Sequence, residues 1–253
     1  MELTTARPRR ARRPVRFSDP SPFGYIHLAA AVAPPRRPGP PVPGPSPARA
    51  ALLDRCTALA RDLEDLDTVT SATVYRATVI PPVTSGASPA THAALHPARY
   101  DVAVLIETPT PAAIGEVQDT AAYRSLLGAI EAAARDRHVM TARCHRQIAD
   151  VDRTRQGLFL FNYLAADPAR AELAVAVWEH LAAWYAANTG LTNSTLLAPL
   201  GEADYALVNH ARWDTSVARF MARQFTRPSF WTDIVATLRA NHLTAMPILY
   251  RLA

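Results

Sequence analysis

The sequence predicts an α+β fold: two tandem ferredoxin-like βαββαβ units within one chain of 253 residues. Two observations predict it. Segments of strand-like alternation and helix-like apolar stripes run in the order β-α-β-β-α-β, and then do so again. Fragments of sequence also recur at matching places in the two passes. The tetrapeptide from Pro47 to Ala50 returns verbatim from Pro168 to Ala171, Tyr100 matches Tyr205, and His138 matches His242. A unit of this kind covers one sheet face with helices and leaves the other bare, so the second unit is expected to supply a sheet to pack against it.

The first unit, 21–152, follows a tail, 1–20, that is rich in Arg and Pro and reads as disordered. Residues 23–33 form a strand candidate. Residues 34–47 are almost all Pro, Gly and Arg, which suits neither a sheet nor a helix interior. Leu52, Cys56, Leu59, Leu63 and Leu66 then recur at helical spacing and form one stripe. Residues 68–80 and 100–108 are strands around a loop at 81–99. A helix at 111–137, in two pieces, leads to a last strand at 139–149. The second unit, 157–253, opens with a strand at 158–166. Asp167 and Pro168 start a helix as N-cap and first-turn residues, with Leu173, Val177, Leu181 and Tyr185 as its stripe, flanked by Trp178 and Trp184. Gly190 ends it. Strands at 191–200, 205–213 and 243–252 and a helix at 214–241, interrupted at Pro228, complete the unit.

Net charge is +5, and the first sixteen residues alone carry six Arg against one Glu. The rest is balanced, so no basic face for nucleic acid is expected on the folded part. Cys56 and Cys144 fall at core positions outside any CxxC pair, which suits buried thiols in a reducing, cytoplasmic compartment and no metal site. No apolar run has the length of a membrane span. Residues 23–33 loosely imitate an export signal, but the apolar part is short and holds His27.

The most informative stretch is 205–213. In a regular strand, Tyr205, Leu207, Asn209, Ala211 and Trp213 share one face, and His210 points the other way unless a bulge reverses it. A carboxamide on an otherwise apolar face needs hydrogen-bond partners, which a neighbouring backbone group or a ligand can supply.

Asn162, the segment 190–197, the run from Val208 to Trp213 and Pro228-Ser-Phe230 in the second helix together resemble the antibiotic biosynthesis monooxygenase family of the dimeric α+β barrel superfamily. The Val-Asn-x-Ala-x-Trp pattern is similar to that of the cofactor-independent anthrone oxygenases. The resemblance implies that the two units form an intrachain dimeric α+β barrel. It also implies that the chain oxidises a polycyclic phenol or anthrone-type polyketide intermediate to a quinone with O₂, without cofactor or metal. Asn209 and Asn162 would steady an oxyanion, and Trp213 would shape the oxygenation site. Trp178, Phe220, Phe225 and His210 would contact substrate. A non-oxidative cyclase or isomerase, or an accessory barrel that binds an aromatic intermediate, is the alternative. Haem-degrading relatives carry a His on the helix after the Trp, where this chain has Arg223, and no Gly-x-x-Asp-Gly signature of the haem peroxidases occurs. The first unit lacks the Asn and Trp of the motif, which makes it a structural partner. The partners expected are a small aromatic substrate and O₂, with a homodimer of the whole chain left open.

Overall fold

The computed structural model describes residues 3–5, 15–36, 38–85 and 95–253. Residues 1–2 and 6–14 of the predicted tail and 86–94 of the predicted loop lie outside the described residues. The strands are β1 (Gly24–Ala31), β2 (Ser71–Val79), the short β3 (Thr84–Ser85), β4 (Val102–Thr108), β5 (Asp136–Ala149), β6 (Leu158–Ala165), β7 (Ser194–Pro199), β8 (Leu207–Trp213) and β9 (Thr244–Leu252). The helices are α1 (Pro47–Glu64), α2 (Ile114–Gln118), α3 (Ala121–Ala133), α4 (Ala171–Thr189), α5 (Val217–Phe225) and α6 (Ala236–Ala240), with a π-helical stretch at Phe230–Val235.

The pairing corrects the predicted fold class. The sheet runs β2-β4-β1-β5-β7-β8-β6-β9, and β9 pairs again with β2, so eight antiparallel strands close into one barrel with the helices outside. Two tandem ferredoxin-like units with separate sheets stacked face to face are not what forms. The physical reason lies at the strand edges. A four-stranded sheet alone leaves two rows of unpaired N–H and C=O groups, and closure of a barrel removes them. Here Ala142 to Ala149 of β5 ladders onto β7, and Tyr75 to Val79 of β2 onto β9.

Alternation then sorts the side chains. Tyr25 and Ala29 of β1, Phe159, Phe161 and Tyr163 of β6, and Met246, Ile248 and Tyr250 of β9 fill the barrel interior. Ile26, Leu28 and Ala30 point outward beneath α1 and α3, where Leu52, Cys56, Leu59 and Leu63 meet them. Burial raises the Cys56 thiol to about 12, so it acts as a small apolar group. Leu164, Leu196 and Leu207 face α4 and the π-helical stretch in the second half. No helix among the described residues is long and apolar enough to cross a membrane.

The described parts of the predicted tail lie against the second half. Thr4 exchanges two hydrogen bonds with the Asn241 side chain, at 3.0 and 2.7 Å. The Phe17 ring sits 5.5 Å from that of Trp178, and Ser18 bridges to Gln147.

Gly24 marks the tightest approach of backbone to backbone. A Cβ there would come within 2.7 Å of Pro111 Cα and 2.8 Å of the Thr110 carbonyl oxygen. Gly24→Ala is therefore expected to destabilise the fold by about 1–3 kcal/mol through overpacking. A lower urea midpoint at unchanged slope would register it; an unchanged midpoint would show that the turn at Thr110 gives way.

Candidate active site

The outward faces of β6, β8 and β9 and the helices of the second half enclose a cavity of about 390 Å³. It lies outside the barrel. Asn209 and Trp213 come from β8, Asn162 from β6 and Trp178 from α4, with Phe220 and Phe225 of α5 also on the wall. Asn162 stands directly opposite Asn209 in the β6–β8 register, which puts their side chains side by side on one face.

Asn209 is 6% exposed and held by its oxygen. The Trp178 indole N–H donates to Asn209 Oδ1 at 2.8 Å, and the Ser194 hydroxyl donates to the same atom at 2.6 Å. Two donors on the oxygen fix which way the amide faces. Its Nδ2 group has no hydrogen-bond partner among the described residues and remains as a double donor beside the cavity. Asn162 is unanchored: its Oδ1 is buried without a partner.

Trp213 is also fixed by its edge. Its indole N–H donates to Thr189 Oγ1 at 3.0 Å, and that hydroxyl donates to the Tyr185 carbonyl at 2.7 Å. Helix α4 can stop at this point because Gly190 takes a left-handed conformation, φ +78°, which costs glycine nothing. Arg223 donates to the last-turn carbonyl of Thr189 at 3.3 Å, so the residue in place of a haem-linked His serves the helix end. The Trp213 ring is left to pack against Phe220, 4.7 Å away between centroids.

The mouth is aromatic and partly open. Phe225 and Trp231 are 37% and 53% exposed, and their rings stack at 5.7 Å. Trp231, Phe230, Ile234 and Val235 reach the wall from the π-helical stretch, whose wider turn changes the set of side chains that face inward. Pro81, Pro82 and Val83 close the opposite side. The first half of the chain therefore contributes to the cavity and is more than a scaffold.

His210 is the one predicted site residue that the structure does not bring here. The β6–β8 register is unbroken from Leu158 to Leu164, so no bulge turns it round. It points into the barrel, where Nδ1 meets the Leu160 carbonyl at 3.2 Å and Nε2 meets the Tyr75 hydroxyl at 3.3 Å. Burial, reinforced by the charge of Arg153, pushes it down to about 3, and the ring is neutral.

Tyr205 also departs from expectation. Strand β8 begins only at Leu207, and Tyr205 turns into the barrel to hydrogen-bond Tyr100, 2.8 Å between hydroxyls. Sequence patterns missed Ser194, Tyr185, Gln224 and the Pro81–Val83 side. Tyr185 carried a signal only as part of the apolar stripe of α4, and Ser194 only as part of the 190–197 segment of the resemblance. Among the described residues that line the cavity, Arg239 is the only charged one, and none is a carboxylate or a histidine. Nor does any group of three or more His, Cys, Asp or Glu among the described residues form a metal cage.

No protein-family model matches the chain, and no curated protein sequence matches it. Solved structures do. An anthrone oxidase-like protein superposes with a TM-score of 0.63 over 91% of this chain and 91% of its own, at 11% identity. A protein of Fusobacterium nucleatum subsp. nucleatum, provisionally named a monooxygenase, superposes with a TM-score of 0.57 at 5% identity, covering 92% of this chain and 93% of its own. This chain shares their fold. At such identity the likeness reaches no further than architecture.

Proposed function

We propose that the chain is a cofactor-independent monooxygenase that converts a polycyclic phenol or anthrone-type polyketide intermediate into a quinone. The observation that carries this is the anchored Asn209 carboxamide, its oxygen bound by Trp178 and Ser194 and its N–H₂ free beside an aromatic cavity. An anthrone carries acidic C–H protons next to two aromatic rings and across from a ketone. Loss of one proton to water at the open mouth gives an oxyanion on the former ketone oxygen. A neutral N–H donor placed at that oxygen stabilises the anion without a protein base. The anion passes one electron to O₂, and the carbon radical and superoxide then combine through a new C–O bond. Protonation gives a hydroperoxide, and loss of water leaves the second carbonyl. One O₂ is consumed, and the products are one quinone and one water. The residues of this chain bind the flat rings against the wall of Trp213, Phe220 and Leu160 and hold the anion.

The likeness to an anthrone oxidase-like fold is consistent with this chemistry and supports it at the level of architecture. The alternative, a cyclase, isomerase or accessory barrel acting on an aromatic intermediate, takes its support from the lack of a base on the described cavity wall. Oxygen uptake separates them. Metal-stripped protein given dithranol is expected to consume O₂ faster than spontaneous oxidation, at one O₂ per quinone. Trp213→Phe, which removes the bond to Thr189 and reshapes the wall beside Phe220, is expected to slow uptake by about tenfold, the equivalent of 1.4 kcal/mol in the barrier. Uptake at the spontaneous rate would transfer the assignment to the non-oxidative alternative.

A further inference from the structure

We propose that Gln224 is a second oxygen-reading group of this cavity, and that the ligand is a flat polycycle with oxygen on an outer ring as well as on the central one. The ligand class rests on the function proposed above; the geometry of Gln224 does not. On α5 the buried residues are Phe220 and Gln224, one turn apart on the same face. The second of those positions would hold an apolar residue if packing alone set it, because burial of a carboxamide costs free energy unless its groups are bonded. Only half of this one is bonded. The Tyr185 hydroxyl donates to Gln224 Oε1 at 3.2 Å. Burial raises the Tyr185 phenol above its ordinary value, so it stays protonated and remains the donor. The oxygen of the amide is thereby spoken for. Its Nε2 group has no partner among the described residues, although Gln224 is only 8% exposed and lines the cavity.

Asn209 shows the same arrangement on the sheet wall: oxygen anchored by protein donors, N–H₂ free. The cavity thus offers two oriented carboxamides, one from β8 and one from α5, and the only charged residue on its described wall is the cation Arg239. Such a wall selects acceptor oxygens at two places. A buried donor without a partner also discriminates strongly, because a ligand that lacks the matching oxygen leaves it unpaired.

The test is binding, read as quenching of tryptophan fluorescence, with two product-like probes. One is 9,10-anthraquinone, with oxygen on the central ring only; the other is 2,6-dihydroxyanthraquinone, with oxygen on both outer rings as well. The native protein is expected to bind the dihydroxy compound about tenfold more tightly, the equivalent of one good hydrogen bond. Gln224→Leu is expected to abolish that preference without weakening the parent quinone, which no longer leaves a donor unpaired. Because Gln224→Leu orphans the Tyr185 hydroxyl, the double variant Gln224→Leu with Tyr185→Phe serves if the single one unfolds. Equal weakening of both probes, a preference that survives the substitution, or no preference in the native protein would each overturn the proposal. Oxygen uptake is read separately, so a failed oxygenase assignment leaves this result intact and a failed Gln224 assignment leaves the oxygenase standing.

Discussion

Replacement of Asn209 by alanine is expected to lower the oxygenation rate by about 10²–10³-fold, the usual loss when one oxyanion donor is removed. The loss should fall on kcat, since the neutral ketone of the bound substrate needs the donor less than the anion that forms from it. Asn209→Asp is expected to be at least as damaging, because a carboxylate offers no donor and repels the oxyanion. Ser194→Ala and Trp178→Phe test how the donor is held. Neither removes the N–H₂, but each takes one of the two hydrogen bonds that set its direction, at 2.6 and 2.8 Å. Their losses should be smaller, and the double variant should approach Asn209→Ala. The thermal midpoint of every variant must be followed alongside, since Asn209→Ala leaves the Trp178 N–H buried without a partner, at about 1–3 kcal/mol, and the Ser194 hydroxyl with only the His210 carbonyl, at 3.4 Å. A fully active Asn209→Ala protein would remove the central support of the proposed mechanism.

The site was legible in the sequence where periodicity carried it. Period-two alternation put Asn209 and Trp213 on one face; Asn162 entered only through the family resemblance, and the register of β6 on β8 then sets it beside Asn209. The same rule failed at Tyr205, because alternation holds only inside the ladder and β8 starts two residues later. Barrel closure was not legible in the strand patterns, and only the family resemblance implied a barrel. Nothing in a strand's own sequence says which strand will cover its edge, and the pairs that close the barrel, β5 with β7 and β2 with β9, join the two halves. Gln224 escaped for a related reason. Its partner Tyr185 lies 39 residues earlier on another helix, and only the packing of α4 against α5 brings them together. Pro81 to Val83 sit in a Pro-rich segment that has no period, so their place on the cavity could be found only in three dimensions.

Acid is expected to unfold this protein well above the pH at which its carboxylates alone would do so, because the barrel interior holds neutral histidines. His27 stacks on Phe161 at 4.6 Å and shares a hydrogen bond with Tyr163, 3.0 Å from its Nε2. Burial holds its pKa well below the ordinary value, and the nearby His138 and His210 add to that. His210 is pushed down to about 3, while His138 is lowered by burial against the opposing pull of Asp204, 2.7 Å from its Nδ1. In the unfolded chain each would titrate near 6.5. Between that value and the folded one the unfolded state binds more protons, so stability rises with pH there and is lost as pH falls. Across the window between its two values a histidine contributes up to about 1.4 kcal/mol per pH unit. For His210 a drop from pH 6.5 to 4.5 amounts to about 2–3 kcal/mol, and His27 acts in the same direction. The urea midpoint should therefore be level above pH 7 and fall steeply below pH 6. His210→Phe separates this source from the carboxylates: it forfeits the bonds to Leu160 and Tyr75 and starts less stable, yet its slope below pH 6 should be shallower by about 1.4 kcal/mol per unit. A variant with the native slope would place the acid sensitivity elsewhere. Because His210 faces away from the cavity, the same substitution should alter oxygenation far less than it alters the acid response, which separates what the barrel does for stability from what its outer face does for chemistry.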